Sequence, residues 1–140
     1  SPSTIKSALD FSSSNSELDY VSSLNDSFPL GEHVECMKKS CLEAAKPYLK
    51  NESYREHVTP AIYNNPSIFR IASIYSGIRP LPHARLCIDY LEDYHLIYLI
   101  ASYFWPRLDY DLIDICEYLQ NNTKILAINA HHRKERQYLV

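Results

Sequence analysis

The sequence has no excess of basic residues, no pair of closely spaced cysteines and no apolar run long enough to cross a bilayer, and each lack removes a class of function. Its 14 Lys and Arg stand against 17 Asp and Glu, for a formal net charge of -3 and a pI near 6.0. A chain that binds nucleic acid by neutralising phosphates carries a basic patch or stripe instead, so no nucleic-acid partner is expected. The cysteines at 36, 41, 87 and 116 form no C-x-x-C pair and fall inside apolar segments. That placement suits reduced thiols in a cytosolic core rather than a disulfide frame or a zinc site. The longest apolar stretch, residues 96–105, is broken by Ser102 and ends at Pro106, well short of the roughly 20 residues that span a bilayer. With no secretory signal in view either, the reading places the chain in the cytoplasm, with no membrane partner.

What is present describes one folded unit. Over 140 residues, 46% are hydrophobic and 22% charged, a balance that supports a single domain, residues 1–140, with one real core. Residues 4–11 read as the end of a helix, followed by a polar loop over 12–16. Residues 18–23, 33–37, 69–75 and 85–88 are rich in strand formers. Ser40 precedes an apolar stripe at Cys41, Leu42, Ala44, Ala45 and Tyr48, with Glu43 three residues on, which predicts a capping box and a short helix. Residues 55–64 read as helical, with Pro60 in a first turn, until Asn64-Asn65-Pro66 ends them. The period then changes. Tyr90, Tyr94, Ile97, Tyr98, Ala101, Phe104 and Trp105 recur at helical spacing, and Leu96, Leu99, Ile100 and Tyr103 make the opposite side apolar as well. Asp109 or Asp111 caps a further helix whose inner stripe is Leu112, Ile115, Cys116 and Leu119, and a tail helix follows through Ile128. Strands interleaved with helices give an α/β architecture with fewer strands than a complete doubly wound sheet.

Five segments carry a resemblance. The run Tyr54-Arg55-Glu56-His57-Val58-Thr59-Pro60-Ala61-Ile62-Tyr63-Asn64-Asn65-Pro66 is similar to the REHVTPYIYENP signature of the cytidylyltransferases that resemble the spore-coat polysaccharide enzymes. In the same order, residues 18–23 resemble that family's ADYVSN strand, 29–35 its PRGLDVEV turn and strand, 83–94 its HLRLTVDYPEDY segment and 114–131 its DILEYLDENPEIAAINAH tail. The wider group includes the CMP-sialate and CMP-ketodeoxyoctonate synthetases. The resemblance implies a Rossmann-like nucleotidyltransferase sheet with packed C-terminal helices, of which this chain would be the C-terminal half. It further implies a transfer of CMP from CTP to a sugar or sugar acid, with release of pyrophosphate and with Mg²⁺ as cofactor, in the service of cell-surface polysaccharide synthesis. The family's Gly-rich nucleotide loop and its GDCPLIDP-like metal segment do not occur in these 140 residues. The isolated chain is therefore expected to be inactive by itself, and the alternative is a non-catalytic interaction module derived from the same fold.

Residue by residue, the resemblance places Asp89 as a metal-binding aspartate, Arg55, Glu56 and His57 as the catalytic cluster, and His33, Glu35 and Arg85 at the sugar or phosphate. Each also has a plainer reading. Asp89 with Glu92 is a D-x-x-E capping box that satisfies helix donors without metal. Arg85 is either a phosphate ligand or the internal partner of a carboxylate. His33 and Glu35 flank Val34, so on a strand they share one face. His33 stands where the family has aspartate, and Leu30 where it has arginine. His131 and His132, followed by Arg133, Lys134, Glu135 and Arg136, read as a solvated terminal turn. The 12 tyrosines fall mostly on helix stripes, where packing accounts for them. A partial sheet and an all-round apolar helix over 90–105 need cover, so a homodimer or association with a nucleotide-binding half is expected.

Overall fold

The computed structural model describes residues 1–49, 54, 57–78, 81 and 84–132. Its centre is a short strand, β1 (Tyr20–Ser22), with β2 (Glu35–Met37) antiparallel on one side and β3 (Ile71–Ser73) parallel on the other. β1 is buried on both faces, because successive side chains alternate across a sheet and each face is covered. Tyr20 packs with Cys41, Ala45, Ile62 and Phe69 on one face, and Val21 packs with Ala8, Phe28, Ile74, Leu112 and Cys116 on the other. Asp19 fastens the start of the sheet by accepting hydrogen bonds from the Arg70 backbone N–H (3.0 Å) and guanidinium (3.3 Å).

Six α-helices accompany this sheet among the described residues. α1 (Pro2–Ser14) buries Thr4 and Ala8, α2 (Lys39–Ala45) buries Cys41 and Ala45, and α3 (Pro60–Tyr63) buries Ala61 and Ile62. α4 (Leu91–Phe104) presents Asp93, Leu96 and Ile100 inward, where Leu96 and Ile100 join Ala84 and Leu119 in a third apolar cluster. α5 (Leu112–Asn121) begins at Asp111, whose carboxylate accepts from the N–H groups of Ile113 (2.9 Å) and Asp114, while Asp114 accepts from the Asp111 N–H (3.0 Å). α6 (Thr123–Leu126) and a 3₁₀ turn at Ala130–His132 follow. The result is the α/β class expected from the sequence, with a small mixed sheet and packed C-terminal helices.

Several local expectations change. Ser40 does not cap α2: the helix starts two residues earlier, from Lys38 in an extended conformation, so Ser40 sits inside the first turn. The segment 55–64 is not one helix; Arg55 and Glu56 lie outside the described residues, and α3 opens only at Pro60, where a missing donor costs nothing. Residues 85–88 do not form a strand. Arg85 makes a single parallel bridge to Leu30, bounded on that side by Pro29, which has no N–H to give, and by Gly31, which turns the chain away. The capping box at the start of α4 is shifted by one residue from Asp89 and Glu92. Asp93 fills it, accepting from the N–H of Tyr90 (3.1 Å) and also from that of Asp89 (3.0 Å).

Gly31 is required by contact as well as by conformation. Its φ is +101°, and a Cβ there would lie 2.6 Å from both the carbonyl carbon and the oxygen of Leu86. Those are backbone atoms held by the Leu86 N–H bond to the Leu30 carbonyl, so they cannot give way cheaply. Gly31→Ala is expected to lower stability by about 2 kcal/mol or more, read as a reduced urea midpoint with an unchanged slope.

Candidate functional site

The chain enters α4 through a polar knot that sequence reasoning located only in part. Asp93 is completely buried and Arg85 is 7% exposed. The Arg85 Nε reaches both Asp93 oxygens (2.9 and 3.1 Å), and its Nη2 reaches Oδ2 (2.9 Å). Asn129, also buried, donates from Nδ2 to Asp93 Oδ1 (2.7 Å) and to the Arg85 carbonyl (2.9 Å), which ties the C-terminal turns to the same point. Burial alone would push the Asp93 carboxyl up, but hydrogen bonds from Arg85, from the Asp89 and Tyr90 N–H groups and from Asn129 outweigh it and hold the group well below its usual range. Asp93 drives Arg85 the opposite way, further above its already high value.

Of the two roles the sequence leaves open for Arg85, the geometry shows the internal one. Its remaining reach is to Asp89, whose Oδ2 accepts from Nη2, and its guanidinium carbon lies 5.3 Å from the centre of the Tyr90 ring. Asp89 itself is open to solvent, its side chain 64% exposed. Arg85 therefore orients an exposed carboxylate at a helix start. Asp93, which organises all of this, was missed. Its signal was a carboxylate on the inward stripe of an apolar helix, four residues from Asp89 and eight from Arg85, since a charge so placed needs a partner.

Glu35 belongs to a second group. It faces the same side of the sheet as Tyr20, whose hydroxyl donates to Glu35 Oε1. Burial and then that bond raise the Tyr20 hydroxyl far above its ordinary value. Tyr63, within the 54–66 motif, stands beside them, its ring centre 6.4 Å from that of Tyr20, and its hydroxyl is pushed up by burial and then by the Glu35 charge. Asn64 Nδ2 donates to the Tyr54 hydroxyl (3.2 Å). The motif segment and Glu35 thus share a face. His57 is exposed and His33 partly buried, just ahead of β2, while Arg55 and Glu56 lie outside the described residues. Where β1 and β3 end, side by side, Asn25 and Ser27 join Ile74 and Ser76 through bonds of 2.7 to 3.0 Å, at the carboxyl end of parallel strands where open α/β sheets bind ligands.

With this geometry in hand, comparison with known proteins defines the class of fold. No protein-family model matches the sequence. The structure of a cytidylyltransferase from Leptospira borgpetersenii serovar Hardjo-bovis superposes with a TM-score of 0.81 at 22% identity, over 98% of this chain and 55% of that one. The fold is therefore cytidylyltransferase-like, a partial Rossmann-like nucleotidyltransferase arrangement. An uncharacterized protein of Methanocaldococcus jannaschii is 33% identical over 124 residues, 84% of this chain and 47% of that protein. The chain spans about half the length of each.

The buried pair makes a pH-dependent contribution whose sign follows from its direction. The folded-state Asp93 titrates below its ordinary value of 3.8, so its stabilisation is complete above that value and is lost as the pH falls toward the folded-state one. Among the described residues, Asp93→Asn leaves Arg85 buried with only the exposed Asp89 as counter-charge and is expected to cost about 3 kcal/mol at neutral pH. Urea titrations across pH should show the wild-type advantage shrinking below about pH 4.

Proposed function

We propose that the chain is the later part of a cytidylyltransferase that transfers CMP from CTP to a sugar or sugar acid for cell-surface polysaccharide synthesis. The observation that supports this most is the cytidylyltransferase-like fold over nearly the whole chain, joined to five motif segments in family order. In the reaction a nucleophilic oxygen of the sugar forms a bond to the α-phosphorus of CTP, and the bond from that phosphorus to the bridging oxygen breaks to release pyrophosphate. Positioning and charge neutralisation carry such chemistry.

The residues present fit one corner of a magnesium site. Mg²⁺ takes one or two carboxylates together with substrate phosphates. Asp89 offers an exposed carboxylate at a helix start, while Asp93, saturated and buried, has nothing left to give. Bound there, Mg²⁺ would neutralise charge on the triphosphate and on the leaving pyrophosphate. Arg85 then acts on the site by holding Asp89 in place rather than by touching substrate. In this reading Glu35 and His33 meet sugar hydroxyls, which the exposure of Glu35 beside Tyr63 supports for the first of the two. His57, with Arg55 and Glu56, contributes at the anionic end of the substrate.

The apolar face of α4 supports self-association. Leu91, Tyr94, Tyr98 and Trp105 recur along one side of the helix and are all exposed, Trp105 at 72%, and exposed apolar side chains grouped on one helix face mark interaction surfaces. A second copy of the chain is the proposed cover, since one helix face can pair with itself across a two-fold axis.

Two measurements test these readings. In its natural full-length context the protein should release pyrophosphate from CTP with Mg²⁺ and one member of a panel of sugars and sugar acids. Asp89→Asn should lower the rate by roughly 100-fold without changing the melting temperature. No release with any acceptor, or release indifferent to Asp89→Asn, would overturn the assignment. Sedimentation at tens of micromolar should show a dimer, and Tyr98→Glu with Trp105→Glu should return a monomer; a monomeric wild type would remove the second-copy proposal.

A further inference from the structure

On the outer side of the α4 entrance, Glu92, His131 and His132 converge, each offering one ligand atom, and these three atoms lie within 4.8 Å of one another. We propose that these three side chains form a site for a divalent transition metal, zinc in the first instance, separate from any magnesium at Asp89. His132 Nε2 already stands 3.0 Å from Glu92 Oε2. Its ring lies flat on Tyr90, centres 3.9 Å apart and planes 6° from parallel, and the His131 ring is 4.0 Å away. His132 is thus held by stacking, and Glu92 by its contact with His132, before any ion arrives. Zinc bonds of about 2.0–2.2 Å to nitrogen and oxygen in a tetrahedron put neighbouring donors roughly 3.3 Å apart. The His132 and Glu92 atoms are nearly at that spacing, and exposed His131 has only to swing inward by about 1.5 Å.

The donor chemistry selects the ion. Two imidazoles and one carboxylate, with the fourth position left to water, make an open zinc-type set, whereas Mg²⁺ prefers oxygen donors in an octahedron. Metal at this position would pin the Ala130–His132 turn to the first turn of α4, reinforcing from outside the tie that Asn129 makes from within.

Calorimetric titration of the whole chain with ZnCl₂ in a non-chelating buffer should give one ion per chain at micromolar affinity. Replacement by Co²⁺ should give the strong visible absorption of a tetrahedral site. His131→Ala and Glu92→Gln should each weaken binding at least 10-fold, as loss of one ligand in three requires. His95→Ala, exposed on the same helix, should bind like wild type. His131 is exposed, so its variant should keep the wild-type circular dichroism spectrum. Excess Zn²⁺ should raise the wild-type melting temperature by about 5 °C and leave that of His131→Ala unmoved. No stoichiometric binding, or binding that survives both His131→Ala and Glu92→Gln or falls with His95→Ala, would overturn the proposal.

Discussion

The buried contact between Arg85 and Asp93 is the constraint on which the second half of the chain depends. Two charges out of water are tolerated only when their lone pairs and protons are satisfied, and satisfying them recruits four separate stretches of chain. Arg85 brings the segment bridged to Leu30, Asp93 brings the start of α4, the Asp89 and Tyr90 N–H groups bring the turn between them, and Asn129 brings the C-terminal turns. Apolar packing around Leu96, Ile100 and Leu119 supplies burial without direction. The ion pair supplies direction, fixing where α4 begins and therefore where Asp89 and Glu92 stand relative to the sheet.

That arrangement separates holding from reacting. Asp93 and Arg85 spend their hydrogen-bonding capacity on each other, and Asp89 is left exposed at the rim. Glu35 is set in the same manner by Tyr20 on the other group of residues. In both places a buried partner orients an accessible carboxylate, so that each is held in one geometry before anything binds.

Periodicity and turn chemistry made most of the elements legible. The helical period of α4 and α5, an aspartate cap at 109 or 111 and the centres of the three strands followed from spacing, because burial of one face leaves a mark every two or every three to four residues. On α4, however, the stripe read from the sequence at Tyr90, Tyr94, Tyr98 and Trp105 is the exposed side, and it is Leu96 and Ile100 that pack inward. What failed to show was set by long-range contacts. Among the described residues the 85–88 segment has strand composition but only one strand-like partner, Leu30, located 55 residues away in the chain. The capping box slid from Asp89 to Tyr90 because Arg85 and Asn129 claim Asp93, and nothing within the D-x-x-E pattern records those two residues. At the site, motif resemblance singled out Asp89 and Glu35 but passed over Asp93 and Tyr20, which act through other side chains and so resemble ordinary helix and strand residues.

The position of β1 between an antiparallel and a parallel neighbour also bears on how the molecule is assembled in time. Tyr20 meets Met37 across a short excursion but meets Ile71 only after about fifty residues have been gathered in, and loop closure of that length must be met before the contact returns anything. The β1 and β2 pair with α2 can form early from local contacts. On these separations β3 is expected to join last, sealing Val21 and Tyr20 from water. Until it does, β1 exposes a bare strand edge, so newly made chains are most open to mispairing with one another in the interval before residues 69–75 find their place.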